Sequence, residues 1–189
     1  MNEKANESLF KKQKNVRPKI EDVLFDALEG DALKNAQDFL AFIKENKMTP
    51  SWASANSWKV SYKGKGVCYI RLHGVAWYPM DASSWHLSLF AQYDKHLREL
   101  ILDESEAIKT HVYNQVAASE TCGGCMPGVD RKQAGKEFAS ICACTSFGMK
   151  NPNDNFLEFA KKLVAIRRDA IKNNRMPKCS YVKPADRKN

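Results

Sequence analysis

Ser57-Trp58-Lys59-Val60-Ser61-Tyr62 and Val67-Cys68-Tyr69-Ile70-Arg71-Leu72, separated by Lys63-Gly64-Lys65-Gly66, decide how this chain folds. The first arm alternates apolar and polar residues with the period of a half-buried strand, and the glycine-bearing spacer supplies a turn, so the stretch predicts a β-hairpin. Alternation puts Trp58, Val60 and Tyr62 on one face. Further on, Trp77-Tyr78-Pro79-Met80-Asp81 reads as a strand end and a turn. Trp85-His86-Leu87-Ser88-Leu89-Phe90 reads as another strand, with Trp85, Leu87 and Leu89 on one side and His86 on the other.

Helical patterns flank these strands. Pro18 opens a helix that runs to about Gly30, with Ile20, Val23, Leu24 and Leu28 on one side, and Asp31 caps a second, in which Leu33, Ala36, Phe39, Leu40 and Ile43 recur at helical spacing. Residues 94–119 are helical and polar, with Leu97, Leu100, Ile101, Ile108, Val112 and Val116 as core candidates in two short helices broken near Asp103-Glu104-Ser105. A closing helix takes Asn151 as its cap and Pro152 in its first turn, and buries Phe156, Phe159, Ala160, Leu163, Ile166 and Ala170. Lys161, Lys162, Arg168 and Lys172 fall off that stripe and are expected in solvent. The expected class is α+β: N-terminal helices, an antiparallel sheet with its hairpin, helices, a cysteine-cluster loop and strand, and the closing C-terminal helix. At 189 residues the chain suits one domain at 18–174 between flexible basic ends at 1–17 and 175–189.

Cys122 and Cys125 in Thr-Cys-Gly-Gly-Cys, with Cys142 and Cys144 in Ile-Cys-Ala-Cys, have the spacing of a tetrahedral zinc site. One pair grips from a tight Gly-Gly knuckle; the other, at i and i+2 on an extended strand, points both thiolates to one side. Four thiolates leave no open position for water or substrate, so Zn2+ here is structural and fastens the 122–128 loop to a strand around 138–147. Reversible thiol redox or metal sensing is an alternative, as are unliganded cysteines. The redox reading has the weaker context, because Met126-Pro127-Gly128 follows the first pair where a thioredoxin-type motif opens a helix. Met1 to Ser8 contains no apolar signal segment, which argues for the cytoplasm and against disulfides. Cys68 reads as a small core residue and Cys179 as a free thiol in a polar tail.

The net charge of +8 is unevenly distributed. Residues 1–20 carry +4, residues 161–189 carry +8, and residues 21–160 carry −4. Basic ends of this kind attract polyanions weakly and without specificity, and a solvated helix face is the more ordinary explanation. A nucleic-acid or protein adaptor working through Arg167, Arg168, Lys172, Arg175 and Lys178 is therefore the alternative function. No apolar run approaches the ~20 residues that span a bilayer, so no membrane association is expected.

All four tryptophans, Trp52, Trp58, Trp77 and Trp85, lie between residues 52 and 85. Trp58, Tyr62, Trp77 and Trp85, with His86 beside them, are the candidate walls of a cavity for a small-molecule ligand; core packing under helices is the competing account of the same aromatics. No histidine stands next to an acid or nucleophile in a recognisable pattern, and nucleophile elbows, phosphate loops and dinucleotide fingerprints are missing. Nothing in the chain identifies an enzyme or its oligomeric state.

Trp58-Lys-Val-Ser-Tyr-Lys-Gly-Lys-Gly-Val-Cys-Tyr-Ile resembles the hairpin of a group of small uncharacterised bacterial proteins. Cys122-Gly-Gly-Cys125, Gly135-Lys136-Glu137-Phe138 and Asn151-Pro152 resemble their C-terminal half, so the likeness covers most of the chain. It implies a soluble bacterial protein and transfers no catalytic residue. The expected function is a zinc-stabilised ligand-binding or sensor module.

Overall fold

The computed structural model of the chain describes residues 13–72, 84–90, 95–119, 129–133, 136–141 and 146–175. Within it the hairpin is present, with a tighter turn than the sequence suggested. Strands β2 (Ser57–Tyr62) and β3 (Lys65–Leu72) pair antiparallel around Lys63 and Gly64 alone, which have φ of 47° and 76°. Positive φ at both central residues is what a two-residue I′ turn requires. Lys65 and Gly66 thus belong to β3, and a register shift between Val60 and Ser61 absorbs one extra residue of that strand.

An edge strand absent from the sequence reading, β1 (Thr49–Ser54), pairs with β2. Its residues alternate between exposed and half-buried, so no apolar rhythm announces it, and Pro50 is tolerated at a sheet edge. Strand β4 (Trp85–Phe90) has the bounds expected of it, and β7 (Ser146–Lys150) completes a five-stranded antiparallel sheet of order β1-β2-β3-β4-β7. Register sets Val60 beside Cys68 and Leu89, Trp58 beside Ile70 and Leu87, and Leu72 beside Trp85. All eight are buried on one face of the sheet.

The chain divides into two compact units, residues 1–89 with 148–161 and residues 90–147 with 162–189. In the first, α1 (Ile20–Ala27) stops where Leu28 turns extended, short of the expected Gly30. Gly30 instead begins α2 (Gly30–Glu45), at φ 55°. Glu29 precedes α2 without a side-chain cap; Asp31, expected as the cap, sits in the first turn, where its carboxylate complements the helix dipole. Asn35, Ala36, Phe39, Leu40 and Ile43 form the buried stripe, and the Phe39 ring lies 6.2 Å from Trp85.

The closing helix, α5 (Asp154–Lys172), begins later than expected. Asn153 caps it, its Oδ1 accepting from the Phe156 N–H at 3.1 Å. Asn151 is held by a different demand: at φ 40° it donates its N–H to the Trp85 carbonyl and accepts the Trp85 N–H on Oδ1, both at 2.9 Å. Lys161, expected in solvent, has a side chain only 14 % exposed and reaches Asp38 and Glu158 at 2.7 Å each.

In the second unit, α3 (Lys95–Leu102) and α4 (Glu106–Ser119) break at residues 103–105 as expected, and Ile101, Ile108 and Val112 are buried. Here α5 buries Leu163, Val164, Ala170 and Ile171, while Ile166 is half-buried. The strand expected around 138–147 is two strands. β6 (Lys136–Ile141) pairs with β5 (Val129–Gln133) in a separate two-stranded sheet, and Ser146 opens β7 in the five-stranded one. No helix among the described residues is long and apolar enough to cross a membrane.

Candidate functional site

Cys122, Cys125, Cys142 and Cys144 lie outside the described residues, as does Trp77. Among the described residues no group of three or more His, Cys, Asp or Glu is placed to hold a metal. Trp58 and Trp85, read as possible walls of a cavity, have no exposed surface. The Trp58 indole N–H donates to the Pro18 carbonyl at 2.8 Å, whereas the buried Trp85 indole N–H has no acceptor among the described residues. Tyr62 is half-buried beside the hairpin turn. Cys68 is a free, buried thiol whose pKa burial drives far up, so it is inert as a nucleophile.

His86 is the remaining predicted residue, and alternation carries it to the face of β4 opposite the core. Register then decides its neighbours. Arg71 of β3 pairs with His86, Tyr69 with Ser88, and on β2 Ser57 and Lys59 sit opposite Arg71 and Tyr69. These side chains form a two-by-three block at the centre of the sheet. Ser57 is buried and the other five are half-buried.

The block is wired together. Arg71 Nη1 donates to Ser88 Oγ, and its guanidinium stacks over the Tyr69 ring at 5.4 Å. Ser88 Oγ also lies 3.4 Å from His86 Nδ1, a long contact in which either group can donate according to the tautomer of the ring. Burial, reinforced by the Arg71 charge, lowers the His86 pKa to about 4, so the ring is neutral at physiological pH. None of the five strands contains an aspartate or glutamate. Neither Arg71 nor Lys59 has a carboxylate partner among the described residues.

A concavity of about 590 Å³ lies between the start of α2 and the start of α5, lined by Asp31, Lys34, Asn35 and residues 151–155. Its size suits a small ligand. Its amides, however, are engaged in holding the fold: Asn35 Nδ2 donates to the Pro152 carbonyl at 3.0 Å, Asn151 binds the Trp85 backbone, and Asn153 caps α5. Its acids, Asp31 and Asp154, offset Lys34. The cleft is therefore a structural joint, while the cations of the sheet face, Arg71 and Lys59, meet no carboxylate among the described residues.

The basic residues of α5 are also largely engaged. Lys162 pairs with Glu104 at 2.6 Å, Arg168 with Asp169 at 2.8 Å, and the Arg167 guanidinium lies 5.8 Å from the Phe90 ring centroid. Lys172 and Arg175 are exposed, and Lys178 lies outside the described residues. Sequence reasoning reached His86 from period-2 alternation but missed Arg71, Ser88, Tyr69 and Lys59, whose grouping depends on strand register. No family model matches the chain, and no curated protein or solved structure matches it.

Proposed function

We propose that the protein is a ligand-binding or sensor module whose small polar ligand docks on the carboxylate-free face of the sheet around His86. One observation carries this reading: a half-buried arginine and lysine share that face with His86 and three hydroxyl side chains, and no described acid neutralises them. A fold gains nothing from partly burying unpaired cations, whereas a receptor for a polar ligand needs donors held ready. The aromatic cluster, on this reading, is the rigid floor under the site.

Cys122, Cys125, Cys142 and Cys144 hold structural zinc in this proposal. Their spacing supports it, and so does the β5–β6 register. Val129 pairs with Ile141, so the open end of that hairpin is where the chain arrives from Cys125 and departs into Cys142. The metal closes this hairpin and takes no part in ligand binding.

Two measurements test the reading. Metal content per chain, on protein purified without added metal, is expected to be one zinc, lost together with thermal stability in Cys142→Ser; four titratable thiols without metal would instead favour redox chemistry. A panel of polar metabolites screened by two-dimensional NMR is expected to shift the amides of residues 69–71 and 86–88. A panel that leaves both segments unmoved removes the ligand-binding reading.

A further inference from the structure

We propose that Asn56 and Trp52 form a recognition site for a primary carboxamide, filled in this structure by the chain's own Gln13, so that the segment carrying Gln13 competes with a carboxamide from outside. Register sets Trp52 beside Trp58 and Ile70, on the face of the sheet opposite to His86, and the site is independent of the one proposed above.

The chemistry of the contact is fixed by its partners. Gln13 Oε1 accepts from the Asn56 backbone N–H at 2.8 Å and from the Trp52 indole N–H at 3.3 Å. Neither of those groups can accept, so the oxygen of the Gln13 amide must face them and its nitrogen must face away. That nitrogen, Nε2, donates to Asn56 Oδ1 at 2.7 Å. One asparagine thus takes both ends of the amide, through its backbone and through its side chain, and only 9 % of Gln13 remains exposed. A carboxylate in the same place would need the Asn56 amide turned over and would bring a charge into a site that is nine-tenths buried.

The two halves of the contact are held by different means. Asn56 is built into the sheet: its carbonyl accepts the Leu72 N–H at 2.9 Å, and it supplies the left-handed turn between β1 and β2, at φ 51°, that asparagine tolerates. The segment that delivers Gln13 has little burial to hold it. Lys14, Asn15, Val16, Arg17 and Lys19 are exposed, Val16 by 76 %, and Pro18 is half-buried, its carbonyl adding one hydrogen bond from the Trp58 indole. Arg17 reverses the chain at φ 48°, a left-handed conformation that a β-carbon disfavours, so the turn persists while the contacts on either side hold it. A rigid site that closes on an amide offered by a strained, exposed segment is a receptor with a tethered ligand. A free carboxamide of the same shape can take that ligand's place.

The test uses full-length 15N-labelled protein, with acetamide and acetate titrated separately at constant ionic strength and the Asn56 amide and Trp52 indole N–H signals as readouts. Gln13→Ala removes a methylene and a carboxamide, the atoms of acetamide, so acetamide is expected to bind this variant saturably and to return both signals toward their wild-type positions. Wild type should respond at the same two signals with about tenfold lower affinity, because Gln13 must first leave. Acetate should bind Gln13→Ala about tenfold more weakly than acetamide does. Gln13→Glu, which puts a charge where burial disfavours one, should give an acetamide affinity between those of Gln13→Ala and wild type, and serves if Gln13→Ala does not fold. Acetamide that binds neither variant more tightly than wild type, acetate that binds as tightly as acetamide, or wild-type signals that acetamide never moves would each overturn the proposal. A Gly-Gln-Gly peptide, capped by acetyl and N-methylamide groups, that binds wild type more tightly than acetamide assigns the ligand to a glutamine of another chain; equal or weaker binding assigns it to a small free amide.

Discussion

Strands β3 and β4 show two surfaces made from interleaved residues of the same two segments. On one side, Cys68, Ile70, Leu72, Trp85, Leu87 and Leu89 are at most 1 % exposed. On the other, Tyr69, Arg71, His86 and Ser88 are half-buried and joined through a hydroxyl and an aromatic ring. Every second residue therefore answers to a different requirement. The apolar face gains stability in proportion to the area it removes from water. The polar face gains little for the fold, because each half-buried charge there gives up hydration without meeting an opposite charge among the described residues. On the proposed function, stability and recognition are separated by one residue of sequence.

Adjacent residues on β4 give the largest test of that separation. Leu87→Ala should cost about 3 kcal/mol, since it deletes a fully buried side chain in a sheet that cannot collapse around the gap, while Ser88→Ala should cost less than about 1 kcal/mol. Urea denaturation at neutral pH reads both. Similar losses from the two would erase the distinction between the faces.

The next test stays within the apolar face. Trp58 and Trp85 are both completely buried, but among the described residues the Trp58 indole N–H has a partner, the Pro18 carbonyl, and the Trp85 indole N–H has none. Replacing each by Phe removes comparable apolar area, so the difference isolates the hydrogen bond. Trp58→Phe should be the more destabilising by about 1–2 kcal/mol, because it strands the carbonyl, whereas Trp85→Phe discards a donor that was already unsatisfied. Equal losses would show that the Trp85 N–H is satisfied after all.

What the sequence disclosed about these faces follows from how local each signal is. The hairpin was legible because its turn and the alternation of Trp58, Val60 and Tyr62 lie within one short stretch. His86 was legible as a residue off the core for the same reason. Arg71 and Ser88 were not, because nothing in either strand says that Arg71 lies opposite His86; that is a property of the pairing. The aromatics sent the opposite message. Alternation placed Trp58 and Trp85 on common faces correctly, but composition could not tell whether that face would meet a ligand or Phe39 of a packed helix. The cap of α5 was misplaced for a tertiary reason as well. Asn151 has the right chemistry to start a helix, yet the first residue of β4, Trp85, claims both of its hydrogen bonds, and Asn153 takes over.

Acid sharpens the comparison from the polar side. The His86 imidazole has a folded pKa of about 4, below its ordinary 6.5, because burial and then Arg71 disfavour the charged ring. Between those values the unfolded chain binds the proton more readily, so the contribution of His86 is complete above pH 6.5 and is lost as pH falls toward 4. Discounted for the exposure of the ring, the loss is about 1 kcal/mol. His86→Gln should lack this component: wild type minus variant stability, measured at pH 7 and again near pH 4.5, should shrink by that amount. A difference that stays constant with pH would mean the ring is not held neutral.

The smallest expected change is the most telling about why the polar face exists. Arg71 contributes one hydrogen bond to Ser88 and a cation–π contact with Tyr69, and against these stands the partial dehydration of a guanidinium with no carboxylate partner among the described residues. Arg71→Met keeps most of the aliphatic stem and removes the charge, so stability should stay within about 0.5 kcal/mol of wild type. Loss of 2 kcal/mol or more would make Arg71 a strut of the fold and its neighbours a structural network. A near-neutral result in a position so central to the sheet would have the opposite meaning. An arginine that the fold can spare, sharing one face with Lys59 and His86 in five strands that contain no acid, would support the proposed ligand-binding role of that face.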